Sequence, residues 1–419
     1  MATRPQSLSP KNAVLLFSCL PSSLIVLWIF NYIFHLFHTY DWNEPFAKLI
    51  CFSALFAGVF ALSGVRKSDI QLSSNLYWIE LLTFSGLFLW MILSWKTKYF
   101  LQLWQPPAVD IGYTTQQAAE MLFRHFENPY LSRTLNMVAQ DPGYTGFKYG
   151  PIMILGYFPS AFFPQSGYKL MNLLFLLLSL GCTGYLAWRK NANLAANLST
   201  IVFVMTLILL PERLGFELFS QGTNDIFPVF LLLLSLVFFK MDYELLAGLS
   251  AGLSFSAKFT PALFLIVLFI RKKFNRRFFA GVAIGLLPNT IFLGWDYTSF
   301  FKNAFVFHTI KKYDSTSLYS ITPAELHFVF SLVQIGALLY FVTKSFCKRI
   351  EITDLTISFI LLLIPIEATY REVHTNHLIW FIPFLALVIG QNRHVLSGLL
   401  GGRLEPQSLG HGTASGLSQ

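Results

Sequence analysis

Asp110 stands just beyond the third long apolar run and just ahead of the stretch Thr114–Phe126. A carboxylate at the edge of a low-dielectric region gains basicity, as a proton acceptor needs. The competing reading is an Asp that caps a turn. Basic side chains recur on the same side of the chain pattern: Lys258 in SAKFTP, His308, Lys311 and Lys312 in FVFHTIKKYDSTSLY, Arg371, His374 and His377 in YREVHTNH, and Arg213 in PERLGFE. Any one of them can be a side chain reaching lipid headgroups. Four loops of one sign together suit a phosphate or diphosphate. Tyr113, Tyr130, Tyr144, Tyr149 and Trp104 are rings on which a sugar can stack, with interfacial aromatic belts as the default alternative. Gln221 and Asn224 can bind sugar hydroxyls, and Asn128, Ser317 and His374 join them as polar candidates. Glu212, Glu217 and Asp225 share the loop PERLGFELFSQGTNDIFP, where Asp225 reads first as a helix cap.

His374 and His377 are three apart, but no carboxylate or Cys pattern completes a metal site around them. The four cysteines show no paired spacing. No glycine-rich phosphate loop and no nucleophile elbow occurs. The expectation is chemistry without metal or cofactor.

The elements that must position these residues follow from composition. Of 419 residues, 54% are apolar and 12% charged, about half the charge of a soluble domain. So few charges cannot cover the surface of a soluble chain of this length. The expected fold class is all-α, a polytopic membrane protein. Runs near 13–36, 46–65, 76–95, 168–188, 194–211, 224–240, 244–257, 259–271, 278–295, 323–343, 353–367 and 376–391 give about 12 transmembrane helices. The first is read as a retained span, too long for a signal-peptide core. The short runs 244–257 and 259–271 are either one broken helix or two helices meeting at Pro261.

The net charge of +9 reflects loop bias, not nucleic-acid binding. Arg66, Lys67, Arg189, Lys190, Lys240, Arg271 to Arg277, Lys344, Lys348, Arg349 and Arg393 alternate with the runs, which places those loops and both termini in the cytoplasm. The other side carries a long outer loop, about 96–167. There Thr114–Phe126 reads as an amphipathic surface helix, capped by Thr114 or Thr115 and stopped by Asn128-Pro129. Pro151, Pro159 and Pro164 break the next run into short pieces, either a kinked span or an element lining a cavity. Three parts result: 1–75 with two extra spans, 76–391 as the functional membrane domain, and 392–419 as a cytoplasmic disordered tail.

The order of these features resembles a known family. An apolar run is followed by outer Asp110, then Asn128-Pro129-Tyr130, then Phe147-Lys148-Tyr149-Gly150-Pro151. Lys258-Phe259-Thr260-Pro261 resembles a Lys-x-x-Pro motif; His308 with Lys311 and Ser317 follows, and last a His-bearing loop ahead of Pro383. This is similar to the GT-C membrane glycosyltransferases, most of all glycosyltransferase family 87, over about residues 76–391. That family includes polyprenol-phosphate-mannose-dependent mannosyltransferases and arabinofuranosyltransferases. The resemblance implies Asp110 as catalytic base and Lys258, His308 and Lys311 at the donor phosphate, with Lys312 and Arg371 beside them. The family often has Arg where Lys311 stands, and residues 13–65 add two spans before the Asp-bearing unit.

The implied reaction moves a hexose, mannose foremost, or a pentose from a polyprenyl-phosphate sugar to a lipid or glycan acceptor. It would proceed outside the cell membrane, a bacterial plasma membrane foremost, where nucleotide sugars are not made. A phosphate leaves without a general acid, so one base and several cations suffice, unlike the paired carboxylates of a glycosidase. The rival class is a multi-span transporter or lipid-linked-sugar flippase; against it stand the long aromatic outer loop and the lack of a repeat. A membrane ligase acting on lipid diphosphates would use the same outer cations.

Overall fold

A computed structural model describes residues 23–34, 52–59, 74–105, 110–133, 135, 145–163, 166–271, 275–310, 317–345, 352–369 and 375–400. Among the described residues every regular element is helical. In chain order they are α1 (Ser23–Phe34), α2 (52–59), α3 (Ser74–Tyr99), α4 (Asp110–Glu120), α5 (Pro151–Gly156), α6 (Gly167–Ala187), α7 (Leu194–Leu209) and α8 (Glu212–Gly215). They continue with α9 (Ile226–Lys240), α10 (Glu244–Ala257), α11 (Ala262–Arg271), α12 (Arg276–Phe301), α13 (Phe307–Ile310), α14 (Leu318–Ile321), α15 (His327–Ser345), α16 (Ile352–Ala368) and α17 (Ile382–Leu400).

The all-α expectation holds. The count of about twelve spans is not reached by length and composition. Three described helical stretches are long and apolar enough to cross a membrane: Asn75–Trp104, Gly167–Ala187 and Arg276–Val306. A fourth results if Leu194–Leu209 and Glu212–Gln221, bent by 63°, form one span. Other apolar runs form shorter helices, such as Ser23–Phe34 and Ile226–Lys240. The 392–419 tail lies outside the described residues beyond Leu400, and α17 continues past the expected boundary at 391.

Two ends of the bundle are distinguished by what ties them. At one end, the Lys240 ammonium donates to the carbonyls of Tyr185, Leu186 and Trp188, where α6 and α9 finish. Arg189 reaches the Gln391 carbonyl, and Asn275 pairs with Glu244. Nearby, the buried Arg393 guanidinium meets Glu80 at 2.7 Å and Ser199 at 2.9 Å, which joins α17, α3 and α7. The opposite end gathers the start of α9, the break between α10 and α11, and the segment before α17.

That break is placed by α10 packed against α12, the most extensive helix contact among the described residues. Gly248 and Gly252 lie four apart on α10, and Gly281 and Gly285 lie four apart on α12. The spacing puts each pair on one helix face. A Cβ on Gly248 or Gly252 would meet the carbonyls of Phe278 or Val282; one on Gly281 or Gly285 would meet those of Leu245 or Leu249. The contact is reciprocal, backbone on backbone, as small residues allow where apolar solvent supplies no driving force. Ser256 extends the seam: its hydroxyl donates to the Gly285 carbonyl at 2.8 Å and accepts from Asn289 at 2.7 Å.

The segment ahead of α5 docks onto this seam. Gly150 N–H donates to the Ala257 carbonyl at 3.1 Å, and a Cβ on Gly150 would strike the Ser256 carbonyl. Pro151 then opens α5, which ends after six residues, and a 3-10 turn spans Phe158–Phe162. This is the fragmentation the prolines predict. Tyr130 is fully buried among Phe147, Phe292 and Phe300, and its hydroxyl donates to the Tyr149 carbonyl at 2.7 Å.

The surface helix differs from expectation. It begins at Asp110 rather than Thr114, so Thr114 and Thr115 lie inside it and donate back to the Ile111 carbonyl. It passes into a π-helical turn, Met121–His125, and stops at Phe126 in the left-handed conformation, two residues before Asn128-Pro129. A wide π turn leaves its last residue to reverse the chain, and Phe126 does so at φ 55°.

Two predictions follow from the seam. Gly281→Ala lowers the unfolding midpoint of the detergent-purified protein, with a cost of about 1–3 kcal/mol from overpacking. Gly294→Ala on the same helix, with nothing within 4 Å of its Cβ position, leaves the midpoint unchanged or raises it. Gly150→Ala is also destabilising, by about 1–3 kcal/mol, because carbonyl and methyl cannot share one place. Thermal unfolding of the three variants checks both; equal midpoints for all would contradict the packing.

Candidate functional site

The site end is organised around Asp225. The sequence reading makes it a helix cap, and it does occupy the N-cap position of α9, but its side chain makes no capping bond. The carboxylate points into the protein and is fully buried. One oxygen takes the Lys258 ammonium and the Trp380 Nε1–H at 2.9 Å; the other takes the Asn376 amide at 2.6 Å. The donors come from the α10–α11 break and from the 3-10 helix Thr375–Trp380. Three donors from two remote segments satisfy a charge that would otherwise be prohibitive inside.

The loop that carries Asp225 is itself clamped. A π-helical turn, Phe216–Gln221, ends at Gly222 with φ 76°, where glycine relieves the left-handed strain. Asn172 of α6 donates to the carbonyls of Leu218 and Thr223 at 3.0 and 2.7 Å, and accepts from the Tyr157 hydroxyl. Asn224 donates to the Thr115 hydroxyl at 2.9 Å, so the loop is fastened to α4, the helix that Asp110 begins.

Lys258 sits where α10 has ended and α11 has not begun, with extended backbone at φ −152° and ψ 153°. Pro261 keeps the break open, because the residue before a proline avoids the helical region. Its ammonium lies 5.1 Å from the Tyr149 ring centroid, a cation–π contact in addition to the Asp225 pair. His308 completes this side. Its Nε2 lies 2.8 Å from the Lys148 carbonyl, and its ring is 6.3 Å from those of Tyr149 and Phe259. Lys148 in turn lies 4.0 Å over the Phe307 ring.

A second buried carboxylate stands behind the first. Glu367, near the end of α16, pairs with His377 Nδ1. Cations and anions therefore alternate through Lys258, Asp225, His377 and Glu367.

Of the residues singled out from sequence, Tyr149, Lys258 and His308 come together. Asn224 adjoins them through Asp225, and Asp110 opens the helix that Asn224 touches. Tyr113 is half-buried one turn into that helix, and Gln221 is half-buried at the end of its π turn. Asn128 is buried and accepts from the Tyr130 amide at 3.0 Å, which folds the chain into the turn at Pro129. Tyr130 lies one row behind Tyr149, within the aromatic packing. Ser317 is buried at the start of α14, where its carbonyl accepts from Ser320. Arg213 pairs with Glu217 at 2.7 Å, and Glu212 pairs with Lys98. Lys311, Lys312, Arg371, His374 and Tyr144 lie outside the described residues.

Sequence reasoning missed the role of Asp225 as a hub and missed Asn376, Trp380 and Glu367. A signal existed in the apolar surroundings. Lys258 between two apolar runs and Glu367 inside IPIEATY each demand a partner of opposite charge.

Chemically, a buried carboxylate held by three donors is a poor proton acceptor, because taking a proton breaks an ion pair. The open edge of the site is cationic and aromatic, formed by Lys258, Tyr149 and His308. Such an edge suits an anion attached to a ring or a hydrophobic chain.

Residues 147–364, just over half of the chain, match glycosyltransferase family 87. The matched segment includes Tyr149, Asn224, Asp225, Lys258 and His308. No curated protein and no solved structure was found to match the chain. The match, together with the apolar helices, makes this chain a member of glycosyltransferase family 87, a GT-C-like family of membrane glycosyltransferases.

Proposed function

We propose that the protein transfers a hexose, mannose foremost, from a polyprenyl-phosphate sugar to a hydroxyl of a lipid or glycan acceptor. A pentose is the alternative sugar. The observation that carries this reading is the meeting of Lys258, Tyr149 and His308 at one end of the bundle, a cation, a ring and an imidazole joined by 5.1 and 6.3 Å contacts. That end lies opposite the one tied by Lys240 and Arg189, whose basic loops argue for the cytoplasm. The site then faces the extracytoplasmic side of the cell membrane, with termini inside, where a lipid-linked donor is at hand.

In this reading Asp110 takes the proton from the acceptor hydroxyl. The acceptor oxygen attacks the anomeric carbon, the bond from that carbon to the phosphate oxygen breaks, and polyprenyl phosphate departs with the electron pair. Attack from the side opposite the leaving group inverts the anomeric centre. Lys258 and His308 stabilise the charge gathering on the phosphate, and Lys311, Lys312 and Arg371 are assigned the same role from the sequence. No general acid or metal is invoked, since a phosphate leaves without one. Tyr113, Tyr149, Gln221 and Asn224 serve the sugar and the acceptor. Asp225 is a weak rival for the base, because its oxygens are already occupied by Lys258, Asn376 and Trp380.

Sugar transfer from labelled polyprenyl-phosphate mannose in membranes tests this. The wild type is expected to transfer, and Asp110→Asn to fall by about 10²–10⁴-fold at unchanged expression, the usual contribution of a general base. A mutant keeping more than about a tenth of the activity would remove Asp110 from that role. No transfer by the wild type from any polyprenyl-phosphate sugar would overturn the donor.

A further inference from the structure

Asp225 is too costly a group to serve only as the start of a helix. A buried carboxylate beside an apolar helix would be replaced by a neutral cap at little loss. Its three donors instead fix it more tightly than a cap requires, and its ion-pair partner is the lysine at the cationic edge. The Lys258 side chain has two fixed neighbours, the Asp225 carboxylate within and the Tyr149 ring at 5.1 Å. It is also partly open, with 16% of its side chain exposed against none for Asp225. The lysine stem has four rotatable bonds and, unpaired, would sample many positions. The carboxylate removes that freedom while leaving one side of the ammonium for another anion.

We infer that Asp225 is a positioning residue of the donor site, which holds the Lys258 ammonium against Tyr149 so that it meets the phosphate of a polyprenyl-phosphate donor, and that Asn376 and Trp380 hold Asp225 for this purpose. The inference rests on the donor proposed above. Asp225 does not touch the donor; it acts through Lys258. Its partners arrive from both sides of the sequence, so the lysine reaches its working position only when α9, the α10–α11 break and the Thr375–Trp380 helix are all in place.

The test is a double-mutant cycle on the full-length protein in detergent, read by binding of a short-chain polyprenyl monophosphate and by donor KM and kcat. Asp225→Asn is expected to weaken lipid-phosphate binding and raise donor KM about tenfold, and to lower kcat as well, because Lys258 also meets the charge gathering on the phosphate. In a Lys258→Ala background the same change is expected to add less than about twofold, because the group it positions is gone. Asn376→Ala, which leaves both charges in place, is expected to give a smaller shift of about threefold that also vanishes in that background. This arm keeps the test decisive should Asp225→Asn not fold. Unchanged binding in Asp225→Asn and Asn376→Ala, or shifts that persist in full without Lys258, would overturn the inference alone. Failure of the wild type to bind polyprenyl phosphate would overturn the donor reading and the inference with it.

Discussion

A carboxylate with no exposed surface, among apolar helices, constrains everything around it. Lys258, Asn376 and Trp380 together compensate the charge of Asp225 there. These residues lie 33, 151 and 155 positions away in sequence. The chain must therefore bring the start of α9, the gap after α10 and the segment before α17 to one point. Removing one partner from a buried ion pair costs about 3–5 kcal/mol, comparable to the whole stability of a marginal domain. The site end is thus a consequence of one electrostatic demand, and its cationic edge is what remains accessible once that demand is met.

The demand is met because backbones come close elsewhere. The Gly248/Gly252 and Gly281/Gly285 seam lets α10 and α12 touch without intervening side chains. The seam ends at Ser256, whose carbonyl lies against Gly150, and the next carbonyl, of Ala257, takes the Gly150 amide. Lys258 is the following residue. Position therefore passes from a helix seam, through two carbonyls, to the Lys258 side chain. Tyr149 arrives by the same route from the other direction, since Gly150 is its neighbour and Tyr130 holds its carbonyl. The two groups that face each other at 5.1 Å are set by one small junction of backbone.

Helical content, the break at Pro261 and the fragmentation after Pro151 were legible in the sequence because apolar run length and proline act locally. Tyr149, Lys258 and His308 were each legible as candidates, Tyr149 as a ring for a sugar and the other two through the family resemblance, but their mutual contact was not. The start of α4 was misplaced by four residues: Thr114 and Thr115 look like caps, but their hydroxyls return to Ile111 within the helix. Asp225 was misread for a related reason. An Asp ahead of an apolar helix is locally a cap, and only contacts 33 or more residues away reveal otherwise. Asn376 and Trp380 carried no local mark at all. Among the described residues three or four helical stretches have the length and composition of a span, and an apolar run such as 224–240 forms a fifteen-residue helix.

The lipid phosphate is proposed to be held at the Lys258–Tyr149–His308 end. Photo-crosslinking with a polyprenyl phosphate that carries a reactive group beside the phosphate, followed by peptide mapping, tests it most directly. Adducts are expected within 147–151, 256–261 and 305–310. Adducts concentrated at the other end, around Arg189, Lys240 and Arg276, would contradict it.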